Sequence, residues 1–157
     1  MSKSLKRVRA AILDAGLPDT IIETGKATTA QMAADKVGCD VNQIVKSIIF
    51  AGGESGDIFL FLTAGGNRVD GELAGTLVGE PLVKADAAAI RASTGFAIGG
   101  VSPLGHLTTP STFLDCTLED YDVVWAAAGT PHHVFSISPD TLSKVTNSTV
   151  SDFTEIM

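Results

Sequence analysis

Residues 43–65, "QIVKSIIFAGGESGDIFLFLTAG", leave this chain few folds to choose from. Two runs rich in β-branched and aromatic residues flank "GGESGD", whose glycines and small polar residues are turn chemistry. The segment 44–64 is therefore expected to form a β-hairpin. One residue in it does not fit. Lys46 shares its strand face with Ile44, Ile48 and Phe50, and the opposite face carries Val45, Ser47 and Ile49, which is no more polar. An ammonium without a wet side gives up its proton or finds an anion, because leaving it charged and unpaired among apolar groups is costly. It can also bury its stem while the nitrogen reaches the sheet edge, or form half of a structural ion pair. The functional alternative is a lysine on the floor of a pocket, set to meet a ligand's phosphate, carboxylate or carbonyl oxygen.

Around the hairpin, strands and helices interleave irregularly. Residues 4–15 carry Leu5, Val8 and Ile12 at helical spacing, and Gly16 and Pro18 end the element. "DTIIETG" is a short strand. "TTAQMAADKVG" reads as a helix opened by Thr28 with Gln31 three residues on and closed by Gly38; Asp40 can cap a further turn, "VNQ". A helix is expected from Asp70 to Val78, and another over 84–94 with Asp86 near its start and Gly95 after its end. Residues 95–110 read as a long Gly/Pro-rich loop. Strands follow at 111–115, 123–129 and 133–138, then a helix with Ser138 as N-cap and Pro139 first, and a terminal strand in "STVSDF". Irregular alternation with hairpins favours a mixed-sheet α+β domain over a doubly wound parallel sheet, and 1–157 reads as one domain.

Composition narrows the function. With net charge −7 the chain is a poor general binder of nucleic acid, which requires a basic surface, although Lys3, Lys6, Arg7 and Arg9 cluster near the start and leave room for a local phosphate contact. The bland reading of that cluster is a solvated helix face. No apolar run reaches the ~18 residues of a membrane helix, and the first residues show no signal-peptide pattern, so a cytoplasmic protein without a membrane partner is expected. Cys39 and Cys116 show no CxxC spacing, and three histidines without flanking cysteines do not suggest zinc. There is no GxSxG elbow, Walker loop or GxGxxG fingerprint, and the acids around Cys116 argue against an activated thiolate.

Two further stretches carry chemistry. In "AIGGVSPLGH" the paired glycines and the proline make a loop whose backbone can approach a ligand closely, and consecutive N–H groups there can cradle an anion or an oxyanion; the plain alternative is a connection and nothing more. In "AAAGTPHHVFSIS" a turn at Gly129–Pro131 precedes His132 and His133, which alternation sends to opposite faces. Either is usable as an acid, base or donor near neutral pH, or is incidental.

Taken together, "QIVKSIIF", "FLTAGGNRVD", "TGFAIGGVSPLGH" and "VVWAAAGTPHHVFSISPDTL" closely resemble the YbaK/prolyl-tRNA-synthetase-associated domain family, from about Thr28 onward. The resemblance implies a mixed sheet curled into a partial barrel and flanked by helices. It implies a free-standing aminoacyl-tRNA deacylase that hydrolyses tRNA mischarged with a small amino acid, tRNA for proline being the expected one. The family's strand lysine falls on Lys46, and its GxxxP substrate loop on Gly99, Gly100, Val101, Ser102 and Pro103. Its pocket histidine falls in "GTPHH", with His132 preferred because it directly follows the turn. Asn67, Arg68, Gly129 and His133 are carried over as substrate-binding positions. Relatives often have a lysine in the helix after "RVD", where this chain has "GELAG"; a tRNA phosphate contact is then missing or supplied elsewhere.

In that picture Lys46 holds the aminoacylated terminal adenosine and polarises its ester, and N–H groups near Gly100 and Val101 stabilise the oxyanion. Water attacks, oriented by the neighbouring ribose hydroxyl or by His132, with no metal or cofactor. The acidic surface implies that the chain grips only the acceptor end of mischarged tRNA and docks on a prolyl-tRNA synthetase or an elongation factor. Two other classes compete: a Schiff-base enzyme using Lys46 as an amine nucleophile, and a non-catalytic module that binds a nucleotide or a tRNA 3′-end.

Overall fold

The computed structural model describes residues 2–156. In chain order the elements are α1 (Lys3–Asp14), β1 (Ile22–Glu23), α2 (Ala30–Val37), β2 (Ile44–Gly52), β3 (Ile58–Ala64), α3 (Gly71–Val78), β4 (Leu82–Lys84) and α4 (Ala87–Thr94). They continue with β5 (Ser111–Asp115), β6 (Val124–Ala127), β7 (His133–Ile137), α5 (Pro139–Thr146) and β8 (Thr149–Ser151); 3₁₀ turns occupy Val41–Gln43 and Cys116–Asp120. The architecture is α+β: an eight-stranded mixed sheet, flanked by five helices among the described residues and not closed into a barrel. None of the described helices is long and apolar enough to cross a membrane.

Local chemistry explains most of the boundaries. Asp70, Asp86 and Ser138 accept N–H bonds at the starts of α3, α4 and α5, and Gly38, Gly79 and Gly95 end α2, α3 and α4 in left-handed conformation. Asp40 and Gln43 form a reciprocal capping box on the first 3₁₀ turn. Two expectations need correction. Thr29, not Thr28, caps α2; Thr28 turns its hydroxyl to Met32 Sδ, and Gln31 bonds Asp35 one turn on instead of reaching back. The helix expected over 84–94 begins only at Ala87, because Leu82–Lys84 is needed as a strand against Phe50–Gly52 of β2.

The hairpin β2–β3 is the centre of the sheet, whose order is β1-β7-β6-β2-β3-β5-β8 with β4 also on β2. β3 is apolar except for Thr63, whose buried hydroxyl donates to the Phe61 carbonyl, because both its faces are covered. Leu60, Leu62 and Ala64 pack toward α1, α4 and α5 with Val8, Ile12, Ile90 and Leu142. Phe59 and Phe61 pack toward α3 with Ala74 and Phe153, and Phe61 stacks on Phe113 at 5.1 Å. A third cluster joins α2 to the start of β2 through Ala33, Ala34 and Ile44.

The sheet is discontinuous beside β2. β6 runs parallel to it only at Ile44 and Val45, and β4 pairs only with Phe50–Gly52. Between the two, one edge of β2 has no strand against it among the described residues.

Candidate functional site

Lys46 sits where two clusters on its face part company. Ile44 belongs to the α2 cluster, Ile48 packs with the α3 cluster, and the lysine stands in the seam between them, half-buried. Its ammonium donates to the Asn67 carbonyl at 2.5 Å. The apolar pattern of β2 suggested a charge with nothing to bind; tertiary structure supplies this carbonyl, on a loop far along the chain. Burial pushes the Lys46 pKa below the ordinary lysine value, the Arg68 guanidinium pushes the same way, and the Asp115 carboxylate opposes them.

The loop that carries Asn67 is held from several sides. Its side-chain amide donates to Asp115 Oδ2 at 3.0 Å and to Thr117 Oγ1 at 3.1 Å. Gly66 N–H donates to Asn42 Oδ1 at 2.8 Å. A Cβ at Gly65 would lie 2.3 Å from the Val41 carbonyl, so the chain passes there at glycine distance. Asp115 is fully buried and also accepts from the Ala64 N–H at 3.0 Å and the Thr117 N–H at 2.9 Å.

Opposite β2, residues 95–107 pack their backbone against the turn before β7. A Cβ at Gly100 would meet Thr130 Cα at 2.9 Å and the Gly129 carbonyl at 3.0 Å. Arg7 fastens the loop from α1: its Nε donates to Gly105 O at 2.6 Å and its guanidinium lies 4.6 Å from the centre of the Phe96 ring. Arg7 is thus engaged with this loop, and Arg9 pairs with Asp19 at 2.7 Å, so half of the N-terminal basic cluster has structural work. The Gly100 N–H donates to Ala97 O at 3.1 Å, which takes it away from the expected oxyanion role; the Val101 N–H is not tied into that turn.

At the turn, the Thr130 hydroxyl bonds His133 Nδ1 at 2.7 Å and accepts the His132 N–H at 3.1 Å. The two imidazoles do diverge, but this clasp sets the second one, not the first, on the inner side. His133 is half-buried with Nε2 4.0 Å from Glu23 Oε2, whereas the His132 side chain is exposed. The preference for His132 as the pocket-lining histidine is therefore reversed.

One cavity of about 910 Å³ gathers these parts. Lys46, Gly99, Val101 and His133 line it. Gly100, Ser102, Pro103 and Gly129 are buried behind its wall, while Asn67 meets Lys46 from the neighbouring loop and Arg68 stands in solvent, 3.7 Å from Glu155. The sequence reading missed Ser47, Trp125, Thr130 and the start of α2, Thr28 to Gln31, all of which line the cavity. Thr130 lies inside the quoted "GTPHH" and is the one a local signal could have found, since a turn threonine before histidine has a hydroxyl to offer. No group of three or more His, Cys, Asp or Glu side chains among the described residues is arranged to hold a metal ion. Burial comes first in raising the pKa of both Cys39 and Cys116, so neither is an activated thiolate.

A mostly apolar cavity lined by two lysines, Lys46 and Lys84, one imidazole and a glycine loop suits an ester or phosphate-bearing ligand whose charge is met at a few points. The family model described as the aminoacyl-tRNA editing domain matches residues 24–145. The uncharacterized protein YwhH of Bacillus subtilis (strain 168) is 30% identical over 131 residues, which span 83% of this chain and 82% of that protein. A crystal structure of a candidate trans-editing enzyme for prolyl tRNA synthetase matches with TM-score 0.93 and 44% identity over 99% of both chains. The hypothetical protein APE2540 matches with TM-score 0.88 and 25% identity, over 95% of this chain and 99% of that one.

Proposed function

The chain belongs to the aminoacyl-tRNA editing domain family, and from that premise we propose that it is a hydrolase, an aminoacyl-tRNA deacylase acting in trans on tRNA mischarged with a small amino acid. tRNA for proline is the first candidate, and residues 1–157 act as one editing domain. The observation that supports the reading is the cavity that Lys46, Gly99 and Val101 all line.

Lys46 is the only cation fixed by a hydrogen bond at that cavity among the described residues, and it binds the aminoacylated 3′-terminal adenosine and polarises the ester carbonyl. As water adds, negative charge gathers on the carbonyl oxygen, and in this reading the Lys46 ammonium and the Val101 N–H receive it. His133, clasped by Thr130, orients the water or steadies the neighbouring ribose hydroxyl that does so. The absence of an activated cysteine or serine elbow fits substrate assistance better than a covalent acyl-enzyme. Exclusion of large side chains comes from clashes with the walls, because hydrophobic fit alone discriminates by only about 1–3 kcal/mol per methylene.

The test is a deacylation panel of Ala, Ser, Thr, Cys and Phe esters on tRNA for proline and on other tRNAs, with and without a prolyl-tRNA synthetase. Release of small amino acids but not phenylalanine is expected; equal rates on Ala and Phe esters would end this reading. The lowered pKa of Lys46 is also what an amine nucleophile needs, so borohydride trapping with candidate carbonyl compounds is the companion experiment. A covalent adduct on Lys46 would favour the Schiff-base enzyme, and stoichiometric binding of aminoacyl-tRNA without release would favour a binding module.

A further inference from the structure

The loop at residues 99–103 is held at both ends of its buried part. Ala97 to Gly99 are exposed, and Gly100 to Leu104 are buried. Gly100 is fixed by its N–H on Ala97 O and by the turn at Gly129 and Thr130, which leaves no room for a Cβ. At the other end Ser102 Oγ accepts the Leu104 N–H at 3.2 Å, and the Ser102 carbonyl accepts from His106 Nε2 at 2.5 Å. Val101, which lines the cavity, stands between these two anchors. His106 does not line the cavity, so it acts on a ligand there only through this loop.

A carbonyl only accepts, so the hydrogen of the neutral imidazole is on Nε2 and Nδ1 is a bare acceptor. That Nδ1 is buried and has no hydrogen-bond partner among the described residues. Buried polar atoms ordinarily have one, and an apolar side chain would fill the same space beside Phe96 without leaving an atom unpaired. What the histidine adds is the bond to Ser102. Its ring meets the Phe96 ring edge-on, with centres 5.3 Å apart and planes at 79°. Phe96 is fully buried and carries the Arg7 guanidinium 4.6 Å from its centre. Arg7 Nε also holds Gly105 O, next in the chain to His106, at 2.6 Å. Helix α1 thus backs the imidazole, and the imidazole backs the loop. The same helix abuts the turn that carries Thr130 and His133, since a Cβ at Gly129 would lie 2.8 Å from the Ser4 carbonyl.

We propose that His106 is a positioning residue: its Nε2–H fixes the Ser102 carbonyl and so sets the angle at which the Val101 peptide faces the cavity. It touches neither ligand nor reacting atoms. The inference rests on the deacylase reading, in which the Val101 N–H receives charge from the ester carbonyl. Loss of the bond leaves the carbonyl of a fully buried residue without its partner and frees one end of the Gly100–Ser102 stretch. A misplacement of about 1 Å at a reacting centre lowers a rate by as much as ~10²-fold. An interaction made only in the transition state is lost from kcat and not from KM.

His106→Gln keeps an amide N–H for the Ser102 carbonyl, whereas His106→Phe keeps a ring against Phe96 and removes the donor. Both are measured beside the parent on the ester that the parent hydrolyses fastest, with thermal melts to establish that each is folded. His106→Leu replaces the phenylalanine variant if the melts show that the larger ring is not accommodated. His106→Phe should lower kcat by about ten- to hundredfold with KM within about twofold, and His106→Gln should recover to within about threefold of the parent. A parent-like kcat in His106→Phe, or a loss carried by KM, overturns the proposal and leaves the deacylase reading standing. So does a His106→Gln variant as slow as His106→Phe, which assigns the effect to ring packing and not to the hydrogen bond. If the parent hydrolyses no ester, the deacylase reading falls and hydrogen exchange over residues 97–105 decides. Faster exchange in His106→Phe with parent-like exchange in His106→Gln then supports the bond as the holder of the loop, and equal exchange in the two variants overturns it.

Discussion

Asp115→Ala removes a fully buried carboxylate that accepts from the Ala64 N–H at 3.0 Å, the Asn67 side-chain amide at 3.0 Å and the Thr117 N–H at 2.9 Å. Hydrogen bonds to a charged group contribute about 1.5–3 kcal/mol each, and the Ala64 donor, itself fully buried, has no water to turn to. Against that loss stands the relief of the carboxylate's own desolvation. The balance is a destabilisation of about 3–5 kcal/mol, which for a domain of this size lowers Tm by roughly 6–15 °C. Asp115→Asn is milder, about 1–2 kcal/mol. Its carbonyl can keep the Ala64 and Asn67 donors while its NH₂ group turns a donor against the Thr117 N–H. The assay pairs thermal melts with deacylation rates at a temperature where all forms are folded. Because Asp115 holds Asn67 and Asn67 holds Lys46, activity per folded molecule should fall in the alanine variant. A Tm within about 3 °C of the parent would show that the buried network carries little stability. A lowered Tm with unchanged activity per folded molecule would show that the Asn67 carbonyl does not position Lys46.

Lys46→Ala should abolish deacylation at a stability cost of only about 1 kcal/mol, since the half-buried Asn67 carbonyl can take water in place of the ammonium; a loss above ~3 kcal/mol, with residual activity tracking the folded fraction, would make Lys46 a structural residue. If the charged lysine is the active form, activity disappears as pH rises through its lowered pKa, and Asp115→Asn, which removes the one opposing charge, should move that basic limb to lower pH; a limb that stays put would separate it from Lys46. His133→Ala should reduce kcat far more than His132→Ala, and the reverse order in a rate comparison would restore the exposed histidine to the mechanism. Burial holds the His106 pKa below its ordinary 6.5, so its contribution to stability is complete above that value and is lost as pH falls from there through the folded pKa; melts at pH 7.5 and 5 should show a shallower decline in His106→Phe, and equal slopes would refute this.

Much of this protein is local and was readable as such. The hairpin, the caps at Asp70, Asp86 and Ser138, and the glycine stops at Gly38 and Gly95 each depend on residues a few positions apart, so their chemistry is complete within the segment. The oddity of Lys46 was equally plain, because period-two alternation needs no tertiary knowledge, and the GxxxP loop and "GTPHH" carried the family resemblance. Strand β4, the Asn67 carbonyl on Lys46, the buried Asp115 beneath it and the Thr130 clasp that selects His133 were decided only in three dimensions. Alternation says which side chains share a face; it does not say what stands across from them. The edge of β2 left open between its contacts with β6 and β4 shows this most clearly, since nothing in "IVKSIIF" distinguishes a paired strand from an open one. Whether the backbone groups there meet a neighbouring strand depends on where β6 leaves β2 and where β4 arrives, contacts made by residues some thirty to eighty positions away.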